Sequence, residues 1–336
     1  MMEMKRKNKF YMLVGLPGSG KSSVAMKMME EAEEDMKLVW ISSDCTRKEL
    51  FGSESVQEES YKVFDLMRTR TLEALKAGKD VIYDACDISS KHRRAFLQNL
   101  KKYDCEKICI VVATPYVMCL ERNAARSRVV PAEVVERMYK TWTTPAFFEG
   151  WDAMEINFAD GTRSVFGNPY EFVMRYQNYD QMNPFHEETL ETHMVNTWKN
   201  ISARGYAPDS NLALAALLHD CGKPFTMEVR KTADGMKAAH YYQHNCTGAY
   251  DALFFSYDGK SVKDILEISL LINLHMAPFS WKSGGGSNDR LRNLWGQELY
   301  NAILLIHDSD LEASVSKMEE SGRYKNDSDI LTEFVK

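Results

Sequence analysis

The sequence predicts an α/β domain, a parallel sheet with helices on both faces, followed by an all-α domain. Three observations lead there. A glycine-rich turn near the N-terminus joins a strand-like run to a helix-like one, and strand-like and helical patterns then alternate to about residue 160. From about residue 185 onward, apolar residues recur at three- and four-residue spacing. At 336 residues the chain exceeds what one core usually holds, so the expected division is a first domain over 1–165, a linker over 166–184 and a second domain over 185–336.

The expected strands are Tyr11–Val14, Leu38–Ile41, Val81–Tyr83, Ile108–Ala113 and Ala153–Phe158, separated by helical segments such as Ser22–Glu34, Ser60–Ala77 and Pro131–Trp142. Turn-rich Asp160-Gly161-Thr162 and Gly167-Asn168-Pro169 lead into a Tyr/Asn/Gln-rich stretch ending at Pro184, the expected linker. Helices are then expected over Leu190–Ile201, Asn211–His219, Tyr241–Phe255, Val262–His275 and Leu299–Leu311, with a flexible loop over Ser283–Asn288.

The net charge of −6 comes entirely from the second half. Residues 1–160 hold 25 Lys/Arg and 25 Asp/Glu, the rest 17 and 23, so neither half is a nucleic-acid-binding domain by bulk charge. Any nucleic acid would be held by local clusters near an end, and Lys5-Arg6-Lys7 reads as a solvated basic run. No stretch approaches a membrane span and the N-terminus leads straight into a strand, which places the expected location in the cytoplasm, away from membranes. Seven cysteines with no CxxC pair fit reduced thiols rather than a disulfide framework or zinc knuckle.

The run Gly15-Leu16-Pro17-Gly18-Ser19-Gly20-Lys21-Ser22 has the form of a phosphate-binding loop. Glycines let successive N–H groups point inward, the following helix aims its positive end at an anion, the lysine reaches β- and γ-phosphates, and the serine hydroxyl ligates Mg²⁺. The candidate nucleotide-binding residues are Gly15, Gly18, Ser19, Gly20, Lys21, Ser22 and Ser23, together with Arg122 and Arg126, and the implied ligands are ATP and Mg²⁺.

Ligands of open α/β sheets bind at the C-terminal ends of the strands. There Asp44 is placed to take a proton from an acceptor hydroxyl, Arg47 to hold a neighbouring phosphate, and Asp84, beside Asp87, to organise Mg²⁺ directly or through water. Helix N-capping is the other use of such Asp and Ser residues. Arg122 and Arg126 at i and i+4 share a face if helical, and suit either a phosphate clamp or a solvated surface.

Together with Val130-Pro131 and Glu136-Arg137-Met138-Tyr139-Lys140, these motifs resemble the 5′-polynucleotide kinase family of phage and bacterial RNA-repair systems, over about 150 residues. The resemblance implies that Lys21 and Ser22 handle ATP and Mg²⁺, Asp44 is the general base on a polynucleotide 5′-OH, Arg47 contacts the adjacent phosphate, Arg126 bridges phosphates in the transition state and Arg122 supports it from a lid. Asp87 departs from the pattern, standing where relatives often carry Asn.

In the second half, His219-Asp220-Cys221-Gly222-Lys223 follows the apolar run Leu212–Leu218, with His193 upstream and His244, His275 and Asp310 downstream. Each lies in an apolar helical segment, where an unpaired imidazole or carboxylate is costly to bury, so a shared metal centre explains the set. The order resembles the HD phosphohydrolase superfamily in its two-metal version, over roughly 185–315. That resemblance implies one metal on His193, His219, Asp220 and Asp310, a second on His244 and His275 bridged by Asp220, and Lys223 receiving a substrate phosphate. Asp310 is preferred to Asp308 because Leu311-Glu312-Ala313 fits the family pattern, and His186 is a secondary candidate for phosphate contact. A divalent transition metal such as Mn²⁺ suits the His-rich set.

The two resemblances combine into an expectation of nucleic-acid end healing: an ATP-dependent 5′-OH kinase joined to a metal-dependent 3′-phosphatase acting on RNA or DNA ends ahead of a ligase. The same residues also suit a small-molecule or nucleotide kinase fused to a nucleotidase, a phosphodiesterase acting on a cyclic phosphate, or an ATP-gated signalling module with little turnover.

Overall fold

The computed structural model describes residues 6–33, 37–56, 58–183, 188–232, 235–281 and 286–314. Lys5, His186 and part of the 283–288 loop lie outside them. The chain divides into two compact units, Met1–Val165 with Gly259–Leu266, and Phe166–Asp258 with Glu267–Lys336.

The first unit is built on five parallel strands, β1 (Asn8–Val14), β2 (Leu38–Ser42), β3 (Asp80–Asp84), β4 (Cys105–Ala113) and β5 (Ala153–Phe158), in the order β2-β3-β1-β4-β5. Helices α1 (Lys21–Glu30), α2 (Ser43–Phe51), α3 (Ser60–Lys76), α4 (Ser90–Leu100), α5 (Tyr116–Ala124) and α6 (Ala132–Lys140) flank it. The central strands are continuous apolar runs because both faces are covered, β3 being buried at every position. Register sets Ser42 beside Asp84 and Asp84 beside Leu13, so the ends of β1, β2 and β3 form one edge.

A fully buried ion pair ties α4 to the segment before β5. Arg93 donates from Nε and Nη2 to the Glu149 carboxylate at 2.8 and 2.7 Å, while Nη1 and Nη2 reach the carbonyls of Asp87 and Thr143. Trp151 Nε1 donates to Glu149 at 2.9 Å, so the buried charges are both paired and hydrogen-bonded.

The second unit comprises α7 (Pro169–Met174), α8 (Leu190–Ala203), α9 (Asn211–Leu218), α10 (Lys223–Thr226), α11 (His244–Asp251), the part of α12 (Val262–Leu274) from Glu267, α13 (Gly286–Trp295) and α14 (Gln297–Ala313). It differs from the all-α expectation in an antiparallel hairpin of β6 (Glu228–Lys231) and β7 (Lys237–His240). Its cause is local: Thr232 and Met236 close the hairpin through N–H to carbonyl bonding at 2.8 Å, and Gly235 supplies φ +83°. The 166–184 stretch, expected as a linker, carries α7, capped by the Asn168 side chain. Phe166 and Phe172 pack there on Phe255 with ring centroids 5.5 and 4.8 Å away. No helix among the described residues is long and apolar enough to cross a membrane.

Candidate phosphate-transfer site and candidate metal centre

In the first unit, β1 runs into the phosphate loop and α1 starts at Lys21 behind Gly20. Gly18 has φ +82°, and a Cβ there would stand 2.2 Å from the Cys119 carbonyl oxygen, so only glycine lets the loop lie this close to α5. Lys21 Nζ is stretched over its own loop, donating to the Gly15 and Leu16 carbonyls at 3.0 and 2.8 Å. Ser22 and Ser23 are exposed at the start of α1, and Ser19 is buried with its hydroxyl unpartnered among the described residues.

Ser22 donates to Asp84 Oδ2 at 2.9 Å, and Trp40 Nε1 donates to the same oxygen at 3.2 Å. Burial raises the Asp84 pKa, while Lys21, Ser22 and Trp40 oppose the rise. The hydroxyl and carboxylate expected to organise Mg²⁺ therefore adjoin. Asp87 sits at φ +38° with a buried Oδ2 unpartnered among the described residues, and burial pushes its pKa up to about 6 against the pull of Arg93 and Lys21.

Asp44 lies in the first turn of α2, whose N-cap is Ser42. Three guanidiniums converge on its carboxylate: Arg47 at 3.5 Å, Arg126 at 3.2 Å, and Arg128. Burial and the neighbouring Arg128 lower the Arg47 pKa, Asp44 opposing, and Arg47 Nε has no protein acceptor among the described residues. Arg122 and Arg126 do not share a helix face as the i, i+4 spacing predicts. Helix α5 ends at Ala124, so Arg126 turns toward Asp44 while Arg122 lies 3.4 Å from Thr114 Oγ1, which itself donates to the Ser19 carbonyl at 2.9 Å.

In the second unit, five elements bring their polar groups together. His193 projects from α8, His219 and Asp220 from the unwound turn after α9, His244 from the start of α11, His275 from just beyond α12 and Asp310 from α14. A Cβ on Gly222 would lie 2.2 Å from the His244 carbonyl oxygen, so glycine is what lets the turn abut α11. All six side chains are buried.

Asp220 stands between two histidine pairs. Its Oδ2 is 3.2 Å from Nε2 of both His193 and His219, and its Oδ1 is 3.1 Å from His244 Nε2 and 4.0 Å from His275 Nε2. Asp310 Oδ1 completes the first group at 3.0 Å from His193 and 3.6 Å from His219, whereas Asp308 instead meets its neighbour His307 at 3.3 Å. Two sets of donor atoms result, His193, His219 and Asp220, and Asp220, His244 and His275, each within 4.8 Å of one another.

The tautomers support a cation site. Nδ1 of His219, His244 and His275 faces the main-chain carbonyls of Ala216, Tyr241 and Ile272 at 2.8, 2.7 and 2.7 Å, and His193 Nδ1 lies 3.4 Å from Glu188. A carbonyl only accepts, so His219, His244 and His275 carry a proton on Nδ1 and leave Nε2 facing inward, the atom that a cation takes when it displaces any proton there. Burial opposes charge on His193 and His219, yet Asp220 and Asp310 outweigh it and push their pKa values up to about 10 and about 9. The two carboxylates hold their own pKa values well below the usual range, against burial, through the same histidines. Lys223 Nζ lies 2.6 Å from Asp220 Oδ2 and donates to Gln181 Oε1 at 2.8 Å.

Residues 10–145 match the family described as AAA domain. L-seryl-tRNA(Sec) kinase of Methanococcus maripaludis is 30% identical over 156 residues, which is 46% of this chain; the chain spans only 59% of that relative's length. Among solved structures, a Pnkp1/Rnl/Hen1 complex is 21% identical over 40% of this chain and 44% of that one, at TM-score 0.33. A gluconokinase from Sinorhizobium meliloti 1021 is 14% identical over 46% and 85%, also at TM-score 0.33. The first unit, a five-stranded parallel sheet carrying a phosphate loop, is similar to an AAA domain over residues 10–145.

The sequence does not single out Arg128, Trp40 and Thr114 in the first unit, or Glu188 and Gln181 in the second. Arg128 stands two residues beyond Arg126, a closeness in sequence that is its one signal; the others are ordinary residues whose partners are remote in sequence.

Proposed function

We propose that the chain is a bifunctional nucleic-acid end-healing enzyme, phosphorylating a 5′-OH in its first unit and hydrolysing a terminal 3′-phosphate in its second. The observation that carries the kinase half is Asp44 beneath Arg47, Arg126 and Arg128 at the edge that holds the phosphate loop. Three guanidiniums around a candidate base suit an acceptor that is itself a phosphate ester.

In this reading Lys21 leaves its loop carbonyls to bind the β- and γ-phosphates, and Ser22 with Asp84 behind it holds Mg²⁺, which supplies charge neutralisation. The arginines pass from Asp44 to nucleotide and acceptor phosphates. Asp44 takes the hydroxyl proton as the acceptor oxygen bonds to the γ-phosphorus and the bond to the ADP oxygen breaks.

In the second unit the residues fit two divalent cations such as Mn²⁺, one on His193, His219, Asp220 and Asp310, the other on His244, His275 and Asp220. Bound there, the cations supply Lewis acidity toward phosphoryl oxygens and a water acidic enough to react near neutral pH. Lys223 neutralises the phosphate, and Glu188 with the three main-chain carbonyls holds the imidazoles in place.

The test is transfer of γ-phosphate label from ATP to a 5′-OH oligonucleotide compared with free nucleosides, and phosphate release from a 3′-phosphate oligonucleotide. The name of the seryl-tRNA kinase relative favours a second reading, an acceptor hydroxyl on a group carried by tRNA. Label entering seryl-tRNA but no 5′-OH end selects it.

A further inference from the structure

The loop that carries Arg126 and Arg128 leaves α5 at Ala124 and ends at Val130, just before Pro131 and α6. One side chain joins its two ends. Asn123, 3% exposed in the last turn of α5, donates from Nδ2 to the Val130 carbonyl at 2.7 Å, and the Val130 N–H donates to Asn123 Oδ1 at 3.0 Å. The residue before a proline is confined to extended backbone, where its N–H and C=O point to the same side. A carboxamide meets that pair with one donor and one acceptor, whereas a carboxylate of the same shape lacks the donor.

The joint is also set against the phosphate loop. A Cβ on Gly18 would stand 3.2 Å from the Asn123 main-chain nitrogen, so this end of α5 abuts the loop that would hold the nucleotide. Tyr116 of α5 stacks on Tyr139 of α6 at 10° with centroids 4.4 Å apart, which ties together the helices on either side. Between them, residues 124–127 and Val129 are exposed, so apolar burial does little to fix the course of the loop. Its polar contacts are the Arg126 N–H on the Asn123 carbonyl at 3.2 Å and the Arg126 and Arg128 guanidiniums on Asp44.

We propose that Asn123 is a positioning residue for phosphoryl transfer: its carboxamide closes the arginine loop and thereby holds Arg126 and Arg128 at Asp44, beside the phosphate loop. The purpose of this clamp rests on the kinase reading; the clamp itself does not. Guanidiniums fixed in advance stabilise developing charge without reordering at the moment of transfer. A loop freed from Val130 still carries both arginines, but no longer aims them.

The test compares wild type, Asn123→Ala and Asn123→Asp, with circular dichroism verifying the fold. Under native conditions trypsin is expected to cut after Arg126 and Arg128, read by mass spectrometry, about tenfold faster in both variants, because losing two hydrogen bonds populates the open loop. Equal rates overturn the clamp. Hydrogen exchange on the wild type needs no variant: the Val130 amide is expected to exchange as slowly as the amides of α5, and exchange at the rate of a free loop amide overturns the clamp. In transfer from ATP to a 5′-OH oligonucleotide, both variants lose kcat/KM for the oligonucleotide about a hundredfold and keep KM for ATP within about twofold. In an Arg126→Ala/Arg128→Ala background, followed by single turnover, Asn123→Ala costs less than about a further twofold, since it acts through those two side chains. The same loss in both backgrounds, or wild-type kinetics in Asn123→Asp, overturns the positioning role. A wild type that labels no 5′-OH end removes the kinase reading, while the trypsin and exchange results decide the clamp by themselves.

Discussion

His244 and His275 face each other Nε2 to Nε2 at 3.2 Å, while the Nδ1 of each bonds a main-chain carbonyl at 2.7 Å. A neutral pair of rings with these Nδ1 protons opposes two Nε2 lone pairs in a buried site. Burial, with His244 and His219 close by, pushes the His275 pKa down to about 3, so near neutral pH a metal cation relieves the opposition better than a proton on that ring.

The expected stoichiometry follows from that geometry. Metal analysis after loading with Mn²⁺ gives two ions per chain, His275→Ala keeps one, and Asp220→Ala, which loses a ligand common to both groups, keeps neither tightly. A wild-type protein that retains no divalent ion contradicts the assignment.

Arg128 meets Asp44 from a bend beyond α5. Arg128→Ala is expected to raise KM for the oligonucleotide acceptor about tenfold, the worth of one charge-assisted hydrogen bond, and to leave KM for ATP within about twofold. Steady-state kinetics with each substrate varied in turn separates the two.

Asp87 has a folded pKa of about 6, above the ordinary carboxylate value of 3.8, because burial disfavours its charge. The folded chain then binds more protons than the unfolded one between those values, so this group's contribution to stability is greatest below pH 4 and falls as pH rises to about 6. Asp87→Asn removes the penalty and also suits φ +38°. Melting at pH 7.5 is expected to rise by about 2–4 °C, corresponding to about 1 kcal/mol, with little change at pH 4.

Glu149→Ala strands the buried Arg93 guanidinium, which keeps only the Asp87 and Thr143 acceptors. Breaking a buried pair from one side costs about 3–5 kcal/mol, so urea unfolding of the first unit moves to markedly lower denaturant. The double variant Arg93→Met/Glu149→Leu recovers much of that loss, which a purely local packing defect at residue 149 does not.

What the sequence reveals and what it hides have separate physical causes. Strands β1 to β4 are legible as apolar runs because the sheet is covered around them, β5 because its apolar residues alternate with the exposed Glu155 and Asn157 at the sheet edge, and the phosphate loop because its glycines are required by φ and by close backbone approach. The six polar residues of the second unit stand out because each interrupts an apolar helical pattern. The pair β6 and β7 is hidden because β6 is exposed throughout and carries no alternating apolar signal. Arg128, Glu188 and Gln181 act on groups far away in the chain, and the helix pattern does not mark that α5 stops at Ala124, short of Arg126.

The central claim is that one chain carries two independent phosphate chemistries. It is tested most directly on an oligonucleotide with a 5′-OH and a 3′-phosphate, incubated with ATP, Mg²⁺ and Mn²⁺, using wild type, Lys21→Ala and Asp220→Ala. The account predicts that wild type converts both ends, that Lys21→Ala loses only 5′ phosphorylation and that Asp220→Ala loses only 3′ dephosphorylation; a wild-type protein that leaves both ends unchanged contradicts it.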